Sequence, residues 1–191
     1  FPWLTTQSIG VGWAVDVRAL RVNFVGELGW ELHYPIEYGR HLFDVLTASG
    51  ADHGLAQVGM RAMEVLRLEK SYRMWGRELT RDYSPLEAGL GRFVRLNKGD
   101  FVGRDALVRQ QEEGAPYALV TLEVFPEARD GRPIADAGGN EPLFAGGRMV
   151  GRATSGAYGH NLGKSLALAY VGPEHAEAGT ELEIEILRER F

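Results

Sequence analysis

ALRVNFVG at residues 19–26 and WELHY at residues 30–34 are the two stretches that decide the fold of the first part of the chain. In both, apolar and polar side chains alternate, which is the period of a half-buried β-strand. The intervening GELG at residues 26–29 has the composition of a turn. The pattern therefore predicts an antiparallel β-hairpin whose second strand turns Glu31 away from its apolar face.

Three helices are predicted between this hairpin and residue 114. The first rests on Tyr38, Leu42, Val45 and Leu46, which recur at helical spacing before Gly50. The second covers residues 59–71, and residues 101–113 form a weaker third. The intervening stretch at residues 74–91 is rich in glycine, proline and charge, and an ordered loop is expected there. The predicted buried stripe of the second helix consists of Val58, Ala62, Val65 and Leu66.

The composition changes at residues 114–116 (GAP), and the segments beyond it read as strands. Short alternating or apolar runs at residues 117–125, 149–155, 166–171 and 182–186 are separated by turn residues, as in a small β-barrel or sandwich. The glycine-flanked residues 151–156 are expected to form a tight turn. The predicted fold class is thus α+β for residues 1–114, with an antiparallel sheet and helices, followed by a small all-β barrel or sandwich domain at residues 115–191.

Composition narrows the range of functions. The net charge of −5 and the lack of a basic cluster argue against a nucleic-acid partner. No apolar run approaches the roughly 18 residues of a membrane span, so no membrane partner is expected. The chain has no cysteine and its five histidines are scattered, so no metal site is predicted. The first residues, Phe1-Pro2-Trp3, favour a chain that begins inside a longer protein.

Three residues are candidates for ligand binding, and each has a plainer alternative. The Glu31 carboxylate could accept two parallel hydrogen bonds from a flat donor edge, yet its position also suits a solvent-facing strand residue. Arg61, near a helix start, opposes the helix dipole and requires an anion, either Glu64 or a ligand. Trp75 lies in a polar-aromatic loop segment that could line a ligand cleft or join two domains.

Four segments, taken in order, resemble the glycine-cleavage T-protein (aminomethyltransferase) family. Residues 25–31 (VGELGWE) are similar to its Thr-Gly-Glu-x-Gly-x-Glu hairpin, and residues 59–70 (GMRAMEVLRLEK) to its Ala-Arg-Asp-Ser-Leu-Arg-Leu-Glu helix. Residues 151–156 (GRATSG) and 166–171 (LALAYV) resemble segments of its C-terminal β domain. Residues 72–79 (YRMWGREL) look more like the C-terminal folate modules of dimethylglycine and sarcosine dehydrogenases. A sulfoniopropionate demethylase or another one-carbon transferase of this fold is the alternative.

The resemblance implies a tetrahydrofolate-dependent one-carbon transfer module, in which folate bound between domains captures a one-carbon unit as methylenetetrahydrofolate. By the same resemblance, the pterin-binding Glu corresponds to Glu31 and the helix-borne folate-site Arg to Arg61. Trp75 is predicted to line the same cofactor site. FAD is expected only in a separate N-terminal domain, which oxidises the N-methyl amine.

Two departures from the family pattern limit these expectations. The family's catalytic Asp belongs to a portion that precedes the matching region, so no catalytic residue is predicted here and the chain alone is expected to be inactive. Met63 also breaks the Arg-Asp-Ser-Leu pattern. The predicted partners are folate and the N-terminal flavin and folate-binding portions of the parent chain, in the cytoplasm or, in a eukaryote, the mitochondrial matrix. A non-catalytic folate-binding module, an interdomain structural module and a stand-alone T-protein are the alternatives.

Overall fold

The computed structural model describes residues 1–125 and 135–191 of the chain. These residues divide into two compact units, Phe1–Glu64 and Val65–Phe191, and each is described here by itself. Residues 65–114 therefore pack as part of the second unit, and the compact units do not divide at Gly114. As a boundary between two family domains, Gly114 stays a prediction.

The first unit is built on a three-stranded antiparallel sheet. Its strands β1 (Thr6–Val11), β2 (Ala14–Leu20) and β3 (Glu31–His33) lie in chain order. A small core forms where this sheet meets helix α1 (Gly39–Gly50). The core consists of buried Ala14, Val17 and Leu42, with Ile9, Val11, Leu32 and Tyr38 packed against it.

The hairpin is present, but its strands are not those predicted. Strand β2 ends at Leu20, which pairs with Glu31 at the start of β3, so residues 21–30 form a loop and not strand and turn. The physical reason lies in Asn23, whose side chain donates to Glu27 O and accepts from the Glu27 amide at 2.9 Å. Such local side-chain bonds compete with the β-ladder for the backbone.

The helices follow the predicted periodicity more closely. Helix α1 continues into a short 3₁₀ turn at Ala51–His53 and ends at Gly54, which has a left-handed φ of 69°. Helix α2 spans Met60–Glu69 and α3 spans Arg104–Glu113. The predicted buried stripe of α2 is only partly correct. Val65 and Leu66 are half buried, but Val58 is 72% exposed and Ala62 is exposed. The buried residues of the helix are Arg67 and Leu68.

The second unit contains a six-stranded antiparallel sheet. Its order is β4-β7-β6-β5-β8-β9, so β6 and β7 are central strands. The sheet encloses an apolar core, which includes Val124, Leu143, Ala153, Ala169 and Ile184. The strands are β4 (Ala118–Val124), β5 (Pro142–Ala145), β6 (Arg148–Gly159), β7 (Lys164–Val171), β8 (Glu183–Ile186) and β9 (Glu189–Arg190).

Residues 151–156 lie inside the long strand β6, so the prediction of a tight turn there is wrong. The glycines serve close approach instead. A Cβ at Gly151 would lie 2.3 Å from Tyr170 O, and one at Gly156 would lie 2.3 Å from Ala137 O. Because both neighbours are backbone atoms, neither position has room for a side chain.

The predicted fold class is confirmed, with mixed α and β structure in antiparallel sheets and an all-β C-terminal region. Among the described residues after Tyr117, the only helical element is a single 3₁₀ turn at Pro173–His175. Within the described part of the chain, no helix is both long and apolar enough to span a membrane.

Candidate functional site

Glu31 stands at the start of β3 with an accessible carboxylate. Its side chain is 47% exposed, and the imidazole Nε2 of His33 lies 3.5 Å from Glu31 Oε2. The preceding residue, Trp30, is covered on one ring face by the Arg21 guanidinium, 4.6 Å from the ring centroid. The carboxylate therefore keeps hydrogen-bonding capacity for a ligand, beside an ordered indole.

Arg61 lies in the first turn of α2, and its side chain is exposed. The family pattern places an Arg four residues before the second Arg of the helix, which is Arg67 here. In this chain, that position holds the half-buried Met63. Two residues correspond to about 200° around a helix, so Arg61 and Met63 point to different faces. No hydrogen bond or ion pair of the described residues joins Glu31 to Arg61.

Trp75 is presented on a closed turn in the second unit. The Gly76 amide donates to Leu79 O at 2.9 Å, and the Leu79 amide donates to Met74 O at 3.1 Å. Gly76 has a φ of +82°, a conformation that suits glycine. The indole itself is 80% exposed. The Trp75 indole thus exposes a large flat apolar face to solvent. The backbone that carries it is held in one conformation by the hydrogen bonds within the turn.

A buried polar cluster lies directly beneath this turn and was not predicted from the sequence. Glu78 is fully buried, and its Oε2 accepts from Arg67 Nη1 at 2.9 Å and from the Met74 amide at 2.8 Å. Its Oε1 accepts from the hydroxyls of Thr154 at 2.6 Å and Ser155 at 2.5 Å. We call Arg67, Glu78, Thr154 and Ser155 the Glu78 cluster.

The Glu78 cluster favours the ionised carboxylate. Burial raises the pKa of Glu78, but hydrogen bonds from Ser155, Thr154 and the Met74 amide, together with the Arg67 charge, outweigh burial and hold that pKa below 4.5. Arg67 also donates to Tyr72 O at 3.0 Å and to Ser155 Oγ at 2.7 Å. Its Nε is buried without a hydrogen-bond partner among the described residues.

Tyr170 extends the same region towards a surface groove. Its hydroxyl donates to Glu78 O at 2.9 Å, and its ring stacks on Tyr83 with centroids 3.5 Å apart. Burial raises the pKa of the Tyr170 phenol far above its ordinary value, helped by Tyr83 and by the charges of Glu78 and Glu87. The groove has a volume of about 850 Å³, and its lining includes Tyr83, Tyr117, Arg148, Arg152, Tyr170 and His175.

One local signal could have indicated the Glu78 cluster. Arg67 lies between Leu66 and Leu68 in α2, so a helix that buries both leucines places Arg67 on the buried arc between them. A buried Arg requires a carboxylate partner. The partner itself could not be identified, because 11 residues separate Arg67 from Glu78 and 77 separate Glu78 from Ser155.

Two family models match the chain. The GCVT N-terminal domain matches residues 1–98, and the glycine cleavage T-protein C-terminal barrel domain matches residues 118–191. A solved structure supports the same relationship: the glycine cleavage system aminomethyltransferase T from Bartonella henselae superposes with a TM-score of 0.79 at 29% identity. It covers 92% of this chain and 47% of its own.

Curated relatives fall into two groups. Mitochondrial dimethylglycine dehydrogenase from Homo sapiens is 41% identical over 100% of this chain and 21% of its own length, and the Mus musculus protein is 40% identical over the same shares. The aminomethyltransferase of Desulforamulus reducens is 39% identical over 87% of this chain and 44% of its own length. The chain therefore spans about a fifth of the former relatives and less than half of the latter.

Proposed function

Because this chain belongs to the glycine cleavage T-protein family, we propose that it forms part of a protein that transfers a one-carbon unit to tetrahydrofolate. The observation that carries the proposal is similarity to dimethylglycine dehydrogenases along the whole chain, at 40–41% identity. Three aminomethyltransferases align with 87–97% of it at 36–39% identity, which is lower than for the dehydrogenases. We therefore propose an N-methylated amine such as dimethylglycine as the source of the carbon, and FAD in another part of the parent protein as its oxidant.

Glu31 is the proposed pterin-binding residue. A reduced pterin presents a ring N–H and an exocyclic amino group side by side, and a carboxylate can accept both bonds at once. The half-exposed side chain of Glu31 suits this role because its contact with His33 Nε2, at 3.5 Å, leaves room for two further donors. Charge-assisted bonds of this kind contribute about 1.5–3 kcal/mol each.

Trp75 and Arg61 are also proposed to contact folate, each through its own chemistry. An indole with 80% of its surface exposed offers a stacking face for a flat aromatic ring. The exposed guanidinium of Arg61 offers a charge for a ligand carboxylate. The chain's contribution in this proposal is to bind and orient the folate. No catalytic residue is assigned to it.

Folate-dependent capture of formaldehyde in the natural full-length protein tests this function. The protein is supplied with dimethylglycine and an electron acceptor, with and without tetrahydrofolate. The proposal predicts that tetrahydrofolate replaces released formaldehyde by methylenetetrahydrofolate, mole for mole. Folate binding without this replacement would favour a non-catalytic binding module, and no folate binding would favour an interdomain structural module.

Two narrower expectations accompany the proposal. The isolated 191-residue chain should show no one-carbon transfer, because catalysis requires a complete, pre-positioned set of groups. Robust turnover by the isolated chain would contradict this. Since the human and mouse relatives are named mitochondrial, we propose the mitochondrial matrix as the location in a eukaryote and the cytoplasm in a bacterium; cell fractionation tests either.

A further inference from the structure

The turn at residues 74–79 is fastened to the rest of the second unit mainly through the Glu78 side chain, which accepts four hydrogen bonds. Two single bonds add to this: Arg77 Nη1 donates to Gly138 O, and the Tyr170 hydroxyl donates to Glu78 O, both at 2.9 Å. Trp75 cannot fasten it, since the indole is 80% exposed and buries little surface of its own. Glu78 Oε2 accepts the Met74 amide at 2.8 Å and closes the turn on the side where it begins. The direction in which the indole points therefore depends on where Glu78 holds the backbone on both sides of it.

The same carboxylate connects the turn to two other elements. Arg67 belongs to helix α2, and the ion pair from its Nη1 to Glu78 Oε2 measures 2.9 Å. Thr154 and Ser155 belong to strand β6, and both hydroxyls donate to Oε1. Two oxygens thus accept four donors from three segments. A carboxylate with so many fixed partners has a single low-energy position, and this fixes the backbone of the turn to which it is attached.

We propose that Glu78 is a positioning residue for folate binding, which holds the turn at residues 74–79 so that Trp75 presents its indole face to the flat ring of the folate. This inference rests on the proposed function. Glu78 touches no ligand, because it is fully buried, and it acts only through Trp75. Preorganising an aromatic side chain in its bound orientation strengthens binding by reducing the ordering cost on association.

Glutamine is the informative replacement for Glu78. A Gln side chain has nearly the same shape, and its NH₂ can donate to the Thr154 hydroxyl, which has a second acceptor in Leu168 O at 3.1 Å. The Ser155 hydroxyl, which already accepts from Arg67 Nη2, loses its acceptor. The change therefore keeps a hydrogen-bonded side chain and removes the charge opposite Arg67. Thr154→Val is the milder variant, since it removes one donor to Glu78 and leaves the ion pair intact.

A matched control lies on the same helix as Arg67. Glu69 accepts from the Asn161 amide at 2.8 Å and from Asn161 Nδ2 at 2.7 Å, and neither bond involves the turn at residues 74–79. Glu69→Gln is thus the same chemical change in a carboxylate that fastens a different part of the second unit. It should lower the melting temperature and leave the tetrahydrofolate Kd unchanged.

The test is a double-mutant cycle on tetrahydrofolate affinity in the natural full-length protein, with a melting curve for every variant. Trp75→Ala should weaken binding about tenfold, in the range of one aromatic stacking partner. Glu78→Gln should weaken it about fivefold in the protein with Trp75, but less than twofold in the Trp75→Ala background. Glu78→Gln should lower the melting temperature by the same amount in both backgrounds. If Glu78 had only a structural role, its effect on folate affinity would also be the same in both backgrounds.

Each outcome decides the inference. If Trp75→Ala weakens folate but Glu78→Gln weakens it equally in both backgrounds or not at all, Glu78 is not a positioning residue and the proposed function stands. If Trp75→Ala leaves the folate Kd unchanged, both the inference and the proposed role of Trp75 are wrong. If the unaltered protein binds no tetrahydrofolate, the proposed function itself fails. Should Glu78→Gln not fold, Thr154→Val takes its place in the cycle, with about a twofold effect expected only when Trp75 is present.

Discussion

Two glutamates, one in each compact unit, show how differently the same side chain is used in this molecule. Glu31 is half exposed, and its carboxylate lies 3.5 Å from the imidazole Nε2 of His33. Glu78 is fully buried, and its two oxygens accept four donors. A carboxylate with unused acceptor capacity at the surface can meet a ligand, whereas one whose lone pairs are all engaged can only hold structure. Burial and partners, not residue type, separate a binding role from a positioning role.

The largest expected effect is a loss of stability when the buried glutamate, Glu78, is removed. Glu78→Ala leaves the Arg67 guanidinium buried without a countercharge, which typically costs about 3–5 kcal/mol. The loss should appear in the free energy of unfolding from a urea titration of the chain. Glu31→Ala is the control and should change that free energy by about 0.5 kcal/mol or less. Equal losses in the two variants would show that burial does not distinguish these glutamates.

A double substitution distinguishes the loss of the whole Arg67–Glu78 ion pair from the loss of Glu78 alone, which leaves Arg67 unpaired. Replacing both partners, Arg67→Met with Glu78→Leu, removes two buried charges together. This double variant should be more stable than Glu78→Ala, because no unpaired charge remains. A double variant that is less stable than the single one would mean that the hydrogen bonds of Glu78 to Thr154 and Ser155 matter more than its charge.

Acid should reduce the contribution of Glu78 to the free energy of unfolding. The folded-state pKa of Glu78 lies below its ordinary value of 4.5, so its ionisation stabilises the fold fully above that pH. The contribution is lost as the pH falls through the lower, folded-state pKa. Unfolding free energies at pH 7 and pH 3 should therefore differ more for the unaltered chain than for Glu78→Gln. An equally large pH dependence in Glu78→Gln would show that the ionisation of Glu78 does not stabilise the fold.

For the exposed glutamate, Glu31, the informative measurement is folate affinity and not stability. In the natural full-length protein, Glu31→Gln should weaken tetrahydrofolate about tenfold, since 1.4 kcal/mol is a factor of ten and a charge-assisted bond contributes at least this much. The melting curve should not move, because the side chain is half exposed. Amine oxidation should also be unaffected. An unchanged folate Kd with a native melting curve would remove Glu31 from the site.

The smallest expected effect concerns Arg61. Its exposed guanidinium should contribute about 0.6 kcal/mol, or threefold in folate affinity, in the range of a solvent-exposed ion pair. Arg61→Ala measures this, and Met63→Arg in the same background tests the helix register. Recovery of affinity would show that the family's Arg belongs at Met63. A loss of tenfold or more from Arg61→Ala alone would instead place Arg61 among the main folate ligands.

Local periodicity explains which parts of this fold the sequence predicted. Helix α1 and strand β8 follow from spacing alone, because each buries one face of a regular element. The first hairpin strand was misplaced, since alternation at residues 21–26 could not reveal that the Asn23 side chain would bond to the backbone of Glu27. Strand β1 was missed because its pattern is weak: Ile9 and Val11 are its only half-buried residues, and both lie near a bulge.

The candidate site also shows that contacts between residues far apart in the chain could not be predicted from the sequence. Glu31, Arg61 and Trp75 came from motif order, and their places in a folate site stay predictions. The Glu78 cluster was out of reach because its partners meet only after β6 and β7 pair and bring Thr154, Ser155 and Tyr170 under the turn. Sequence spacing carries no information on such tertiary contacts.

Strand β6 also limits how this protein can vary. At Gly151 and Gly156 a single added methyl group would overlap the backbone of a neighbouring segment. A saturation library over residues 148–159 should therefore return glycine almost alone at these two positions, while the exposed Met149 accepts many residues. Because the hydroxyls that engage Glu78 lie between the two glycines, the part of the strand that is least free to change in sequence is also the part that anchors the turn bearing Trp75.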